Sequence, residues 1–217
     1  DTIFVDSRSE GVGNGSLDTP YTSIGDAIDQ AEITAASQIR VAGGSYSIGL
    51  DNLGVPLDEV SLDLPKGVQL VVDAGTTFRM RRSQVSVGSS SENTDRSQTS
   101  IQLLGLPENP VIFTSAAISP AAGDWGGINI RNDIDAADGS RVDFEKNGVF
   151  LNHMQFADLR YGGGAVSVDG VQSIVSSVEL NNVRPTIINS TITNSADAAI
   201  AATPDSFEET RFDEYRF

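Results

Sequence analysis

The segment VELNNVRPTIINSTITNSADAAIAA, Val178 to Ala202, decides how the rest of the chain is read. It alternates β-branched triplets with polar corners. Thr186-Ile187-Ile188 is followed by Asn189-Ser190, then Thr191-Ile192-Thr193 by Asn194-Ser195, then Ala198 to Ala202. β-branched residues with period-two alternation argue for strands. Runs this short are too brief for an ordinary hairpin protein and too regular for a loop. A solenoid explains both features, with each run as one side of a coil and each Asn/Ser pair as a bend. Ile187, Ile192 and Ile200 are expected to point inward and continue a stack begun at Ile39 and Val68.

Composition sets bounds. The chain has 217 residues, a net charge of −16, 39% hydrophobic residues, 21 Gly and no Cys. The length suits one core or two small ones. No apolar run approaches the roughly 20 residues of a membrane span, so membrane insertion is not expected. Without Cys there is no disulfide or thiolate chemistry. Such acidity repels phosphate backbones and anionic lipids, so nucleic acid is not an expected partner, whereas cations are. The only lysines are Lys66 and Lys146. Low Lys with high Asp suits a saline or extracellular setting. The chain opens on Asp1 rather than Met and reads as processed or cut from something larger.

Taken in order, Ile3-Phe4-Val5 is a strand and Asp6 to Pro20 a Gly/Ser/Asp loop. Its GVGNG element lacks the following helix and the lysine of a phosphate cradle. Thr22 to Ala31 is the best helix. Thr22 or Ser23 caps it, and Ile24, Ala27, Ile28 and Ala31 form its apolar face. Such a helix would cover the exposed first coil of a solenoid. Gln38 to Ala42 is the next strand, closed by Gly43-Gly44-Ser45-Tyr46.

The run IFVDS…GNGSLDTPYTSIGDAIDQA…IRVAGGSY resembles the opening of secreted right-handed parallel β-helix proteins of the pectate-lyase-like superfamily. The resemblance covers about the first fifty residues and implies an all-β, right-handed parallel β-helix with a short N-terminal capping α-helix. That superfold carries lyases, hydrolases, esterases, tailspikes and adhesins, so it does not by itself fix an activity. Two further stretches, NPVIFTS…GDWGGINI and Leu151 through FADLRYGGG to PTIINSTITNSADAAIAATPDSFEETRF, resemble modules of very large secreted β-helix proteins of bacteria. The expected organisation is one β-helix domain over residues 1–217. Residues 1–48 hold the N-terminal strand, loop and capping helix, 49–203 the coils, and 204–217 a C-terminal extension without a clear cap. Coils of about 20 to 25 residues would give about six to eight of them.

Gly49 to Leu64 reads as a loop or edge insertion, and Ser83 to Ser100, rich in Ser, as a projecting loop. Val68 to Val72, Gly75 to Phe78, Ile101 to Leu104 and Val111 to Thr114 read as rungs. Arg79, Arg81 and Arg82 flank Met80. They are expected to pair with the many acids, with polyanion binding as the sharper alternative. Val149 to Gly164 reads as two strands or one bent strand.

Candidate site residues are few. Asp133, Asp135 and Asp138 precede Gly139 and offer hard oxygen ligands of the kind Ca²⁺ takes, although the order departs from a twelve-residue Ca²⁺ loop. Trp125 covers a coil edge or stacks on a sugar ring, and Tyr161 and Tyr46 are further glycan-stacking candidates. His153, the only histidine, has no identifiable triad partner. Asp158 and Arg160, two apart, share one strand face. Polysaccharide lyases on the resembled fold combine Ca²⁺-binding acids with a base that removes a proton beside a uronate carboxylate. Arg160 would have to lose its proton to serve so, and a surface ion pair is the simpler account. Asn14-Gly15-Ser16 and Asn189-Ser190-Thr191 match glycosylation sequons.

Three functions follow from these readings. The favoured one is an extracellular structural or adhesive module of a large bacterial cell-surface protein or fibre. It would assemble through open solenoid ends with other copies or with the rest of its parent chain. The others are an enzyme, lyase or hydrolase, acting on acidic polysaccharides, and a non-catalytic carbohydrate-binding module.

Overall fold

The computed structural model describes residues 1–88, 96–131, 152–168 and 171–206. The chain winds as a parallel β-helix of three sheets. Strand β1 (Thr2–Val5) is followed by helix α1 (Ile24–Thr34). The first turn is β2 (Gln38–Val41), β3 (Ser45–Gly49) and β4 (Leu62–Asp63). The second is β5 (Gln69–Asp73), β6 (Thr77–Arg81) and β7 (Val85–Val87). The third is β8 (Ser100–Leu104), β9 (Val111–Ser115) and β10 (Ile128–Arg131). In the fourth, β11 (His153–Gln155) and β12 (Ala157–Arg160) are followed by an antiparallel hairpin, β13 (Ala165–Val168) and β14 (Val171–Ile174), before β15 (Val178–Asn181). The fifth is β16 (Thr186–Ile188), β17 (Thr191–Thr193) and β18 (Ile200–Ala202).

Like strands stack on like. The first sheet runs β1-β2-β5-β8-β11-β16, the second β3-β6-β9-β12-β17 and the third β4-β7-β10-β15-β18. The described residues thus make five complete turns with β1 ahead of them. The spacing differs from the expected 20 to 25 residues. Ile39 pairs with Leu70 and Leu70 with Ile101, a step of 31 residues, and Leu103 pairs with Met154, a step of 51. The described residues therefore make fewer, longer turns than the strand lengths alone suggest, because more residues lie between successive strands, as in the stretch from Gly49 to Leu62. Turns also begin earlier than residue 49, since β2 and β3 are already rungs.

Register builds the core. Residues facing inward lie over one another at the rung spacing of about 4.8 Å. One column of the first sheet is Val5, Val41, Val72, Leu103, Met154 and Ile187. In the second sheet Tyr46, Phe78, Phe113, Leu159 and Ile192 align. The Tyr46 and Phe78 rings are 5.7 Å apart, those of Phe78 and Phe113 4.7 Å, and those of Phe113 and Trp125 5.9 Å. All four rings are buried, so packing adds to area burial.

The corners are set by backbone conformation. Asn182, Asn189 and Asn194 have φ of 54°, 49° and 54°, the left-handed region that asparagine tolerates. The Asn corners of the C-terminal segment are therefore the bends that its sequence implied. Phe156, at φ 47°, turns the chain from β11 to β12, which makes Val149 to Gly164 two strands around one corner.

Two segments that the sequence placed in loops are rungs of the coil. Ser83 to Val87 is buried and forms the β7 rung rather than a projecting loop. Its buried polar side chains are mostly paired: Ser83 Oγ donates to the Ile48 carbonyl at 3.3 Å and Gln84 Nε2 to Ser86 Oγ at 2.8 Å, while Gln84 Oε1 has no partner among the described residues. Leu62 and Leu64, assigned by sequence to an insertion, are fully buried around β4.

Helix α1 covers the first rung with Ile24, Ala27, Ile28 and Ala31, the face its sequence marks. Ser23 is its N-cap, with Oγ accepting from Asp26 N at 3.1 Å. The Asp58 carboxylate accepts from Ile24 N at 2.9 Å and from the Ser23 hydroxyl. This places a negative charge on the helix N-terminus.

Removing the central ring of the aromatic column, Phe78→Ala, is expected to cost about 3–5 kcal/mol in urea unfolding. Glu59 yields a pH-dependent prediction. Its burial raises its carboxyl pKa, the Val60 N–H opposes the shift, and Asp29, Asp58 and Asp63 add to it. A raised folded-state pKa means that the native state holds the proton more tightly. The stabilisation is present below the ordinary glutamate pKa and is lost as pH rises through the folded value. Glu59→Gln should therefore raise the melting temperature at neutral pH. The gap from the parent should close as the pH falls below about 4.

Candidate functional site

The fold separates most of the candidate residues. His153 stands on β11 in the first sheet, whereas Asp158 and Arg160 stand on β12 in the second. The corner at Phe156 turns the two outer faces apart. Arg160 Nε donates to Asp158 Oδ1 at 2.9 Å, and its Nη2 to Oδ2. That hydrogen bond raises the Arg160 pKa above its already high ordinary value, against some desolvation. Arg160 therefore holds its proton, and the pair is the surface ion pair that its spacing suggested.

Trp125 offers no face to a sugar. It is 0% exposed, lies against Phe113, and donates from Nε1 to the Arg160 carbonyl at 2.8 Å. The glycan-stacking reading of Trp125 is thus corrected in favour of the structural one: the glycines around it bring neighbouring backbone close enough to enclose the indole. Gly164 shows this, since a Cβ there would sit 2.0 Å from the Gly123 carbonyl oxygen. Tyr46 is excluded in the same way. It is 3% exposed, donates to the Ala42 carbonyl at 3.0 Å and accepts from Ser7 N at 3.2 Å. Tyr161 is half-buried at the exit of β12, with φ 67°, and packs against the core. Asp133, Asp135 and Asp138 lie outside the described residues. Among the described residues no group of three or more His, Asp or Glu side chains converges as a metal-ligand set.

Two other features emerge. The first is a groove of about 370 Å³ over the second sheet, lined by Ser45, Ser47, Asp51, Asn52, Arg79 and Arg81, among others. Its Arg residues were expected to pair with acids. The described Arg8, Arg40, Arg96, Arg131 and Arg160 do reach carboxylates. Among the described residues no carboxylate lies within ion-pair distance of Arg79, Arg81 or Arg82. Sequence marked the cluster but not its surroundings, which depend on register between distant rungs.

The second is the last rung. At the N-terminal end α1 lies on β1 and β2. Among the described residues no strand pairs with the far edges of β16, β17 and β18. Ile200 belongs to the inward column of Leu62, Val85, Ile128 and Val178, all of which are buried. Ile200 itself is 46% exposed, unlike the enclosed stack member expected from sequence. Ile187 and Ile192 are only partly buried. Beyond this rung, a 3-10 turn at Pro204–Ser206 folds back, with Ser206 Oγ donating to the Leu180 carbonyl at 3.3 Å.

Residues 59–174 match the family model described as pectate-lyase like beta helix domain, over half of the chain. The stacked parallel sheets agree with it, and the chain belongs to this family. No curated protein and no solved structure matches the chain. No helix among the described residues is long and apolar enough to cross a membrane.

Burial of the single tryptophan predicts a blue-shifted emission that resists acrylamide quenching. Titration with neutral or acidic oligosaccharides should leave that emission unchanged. A saturable spectral shift would restore Trp125 as a contact residue.

Proposed function

We propose that this chain is an extracellular structural or adhesive β-helix module that extends or assembles through its C-terminal rung. The observation that carries the reading is the asymmetry of the two ends. An amphipathic helix covers β1 and β2, while β16, β17 and β18 present edges unpaired among the described residues, beside a half-exposed Ile200. Unpaired parallel edges over an apolar column are a template for further β-structure. A solenoid gains from each added rung the same ladder and column contacts as from the one before. The partner is another copy of this chain or further β-structure of its parent protein.

The enzyme reading has less support. His153 is separated from Asp158 and Arg160, and Arg160 is engaged in an ion pair that strengthens its hold on its proton. The secreted location draws on the family and on the acidic composition. Calcium at Asp133, Asp135 and Asp138 stays a separate proposal, tested by calcium titration of the melting temperature.

The expected behaviour is concentration-dependent association in sedimentation velocity. Ile200→Glu, at an exposed position, should weaken it while leaving the circular dichroism spectrum unchanged. Hydrogen exchange should be faster at β16–β18 than at β12, and should slow on association. A monomer at all concentrations, with β16–β18 amides as protected as those of β12, would sink the proposal.

A further inference from the structure

We infer that the groove over the second sheet is a binding site for a single oxyanion group, held between Arg79 and Arg81. The argument begins with register. Arg79 and Arg81 are two apart on β6 and therefore both face outward, about 6.6 Å apart along the strand. Ser47 lies beside Arg79 on the preceding rung, and Thr114 beside it on the following one. The residue beside Arg81 on the preceding rung is Gly49. A Cβ at Gly49 would meet the Arg81 carbonyl oxygen at 1.8 Å, and its φ is 107°. Glycine at this position lets the chain turn sharply away and return as the wall of the groove.

That wall is built rather than loose. Leu50 N donates to the Arg81 carbonyl at 3.1 Å, Asp51 N to the Val55 carbonyl at 2.8 Å and Leu57 N to the Gly49 carbonyl at 2.8 Å. Asp51 is the only carboxylate among the lining residues, and it is turned into its own loop. Its Oδ1 accepts from Leu53 N at 2.7 Å and Val55 N at 2.9 Å. The amide oxygen of Asn52 accepts from Arg81 Nη1 and fixes that guanidinium without neutralising it. Arg79 is exposed and has no carboxylate in range among the described residues.

Two guanidiniums without an ion-pair partner among the described residues are therefore held at one groove that has a single lining carboxylate, in a protein with a net charge of −16. The planar guanidinium fork matches carboxylate, sulfate and phosphate oxygens and forms charge-assisted hydrogen bonds with them. The Ser45 and Ser47 hydroxyls supply neutral donors on the same floor. An oxyanion complements this set, whereas a cation would meet two like charges against the one carboxylate of Asp51, whose Oδ1 is engaged by its own loop. The inference is independent of assembly at the last rung, which lies three turns further along the solenoid.

The test is isothermal titration of the whole chain with sodium sulfate, sodium phosphate and sodium acetate, at ionic strength held constant with chloride. Saturable binding of at least one is expected, and the preferred probe separates a tetrahedral anion from a carboxylate. Arg79→Gln should weaken that binding about ten-fold, the loss of roughly one charge-assisted hydrogen bond. Arg81→Gln should do the same. If it disturbs the loop, Arg79→Gln still decides the question, because Arg79 is exposed and holds no wall residue. Arg82→Gln removes the same charge from a neighbouring position outside the groove and should change affinity less than two-fold, roughly the reach of a screened surface charge. No saturable binding of any probe would overturn the inference. So would equal losses in the Arg79 and Arg82 variants.

Discussion

Everything in this molecule depends on the parallel register between successive turns. Backbone groups of each strand are satisfied by the rungs on either side, so alignment of one rung dictates the position of the next. Alternation then sends every second side chain into a shared interior. Once Ile39 sits over Leu70, Val41 must sit over Val72, and the columns follow. The aromatic column from Tyr46 to Phe113 comes from the same constraint. Its rings are far apart in sequence, and only the register stacks them.

The same constraint explains where chemistry appears. Outward residues on adjacent rungs form rows across a sheet, so a face is composed from positions about thirty residues apart. The ion pair of Asp158 and Arg160 needs only one strand. The Arg79 and Arg81 groove needs three rungs and a loop hinged on Gly49. Asp and Glu number 30 against 14 Lys and Arg, yet local placement leaves these guanidiniums without an ion-pair partner among the described residues. Net charge describes the molecule as seen from far away, and register decides what a ligand meets in contact.

Much of the fold was legible in the sequence, because its strongest signals are local. Asn189 and Asn194 marked corners, since few other residues accept a left-handed backbone cheaply. Ile24, Ala27, Ile28 and Ala31 marked the capping face of α1. The β7 rung was missed because its polar residues Gln84 and Ser86 are buried and joined by a hydrogen bond, a property of the pair and not of either residue. Coil length was misjudged because strand length carries no information about what leaves at the corners. Of the candidate site, the arginine cluster and the Asp158–Arg160 face were visible. Trp125 as a cover of the coil edge was one of its two readings, but its partners were not visible, because its hydrogen bond is to the Arg160 carbonyl of the next turn.

The corners are unequal. Passage from the first sheet to the second never becomes a long excursion: β5 ends at Asp73 and β6 begins at Thr77, β11 ends at Gln155 and β12 begins at Ala157, and the longest case runs from Leu104 to Val111. The other two corners accept long excursions, including the hairpin of β13 and β14 between β12 and β15. The frame therefore counts rungs and is indifferent to the residues between them. Mutation by insertion or deletion at those two corners is insulated from the core, so lineages of such a protein can vary their surface in length as well as in side chain. The edge between the first and second sheets uses less of this freedom, its longest passage among the described turns being the one from Leu104 to Val111.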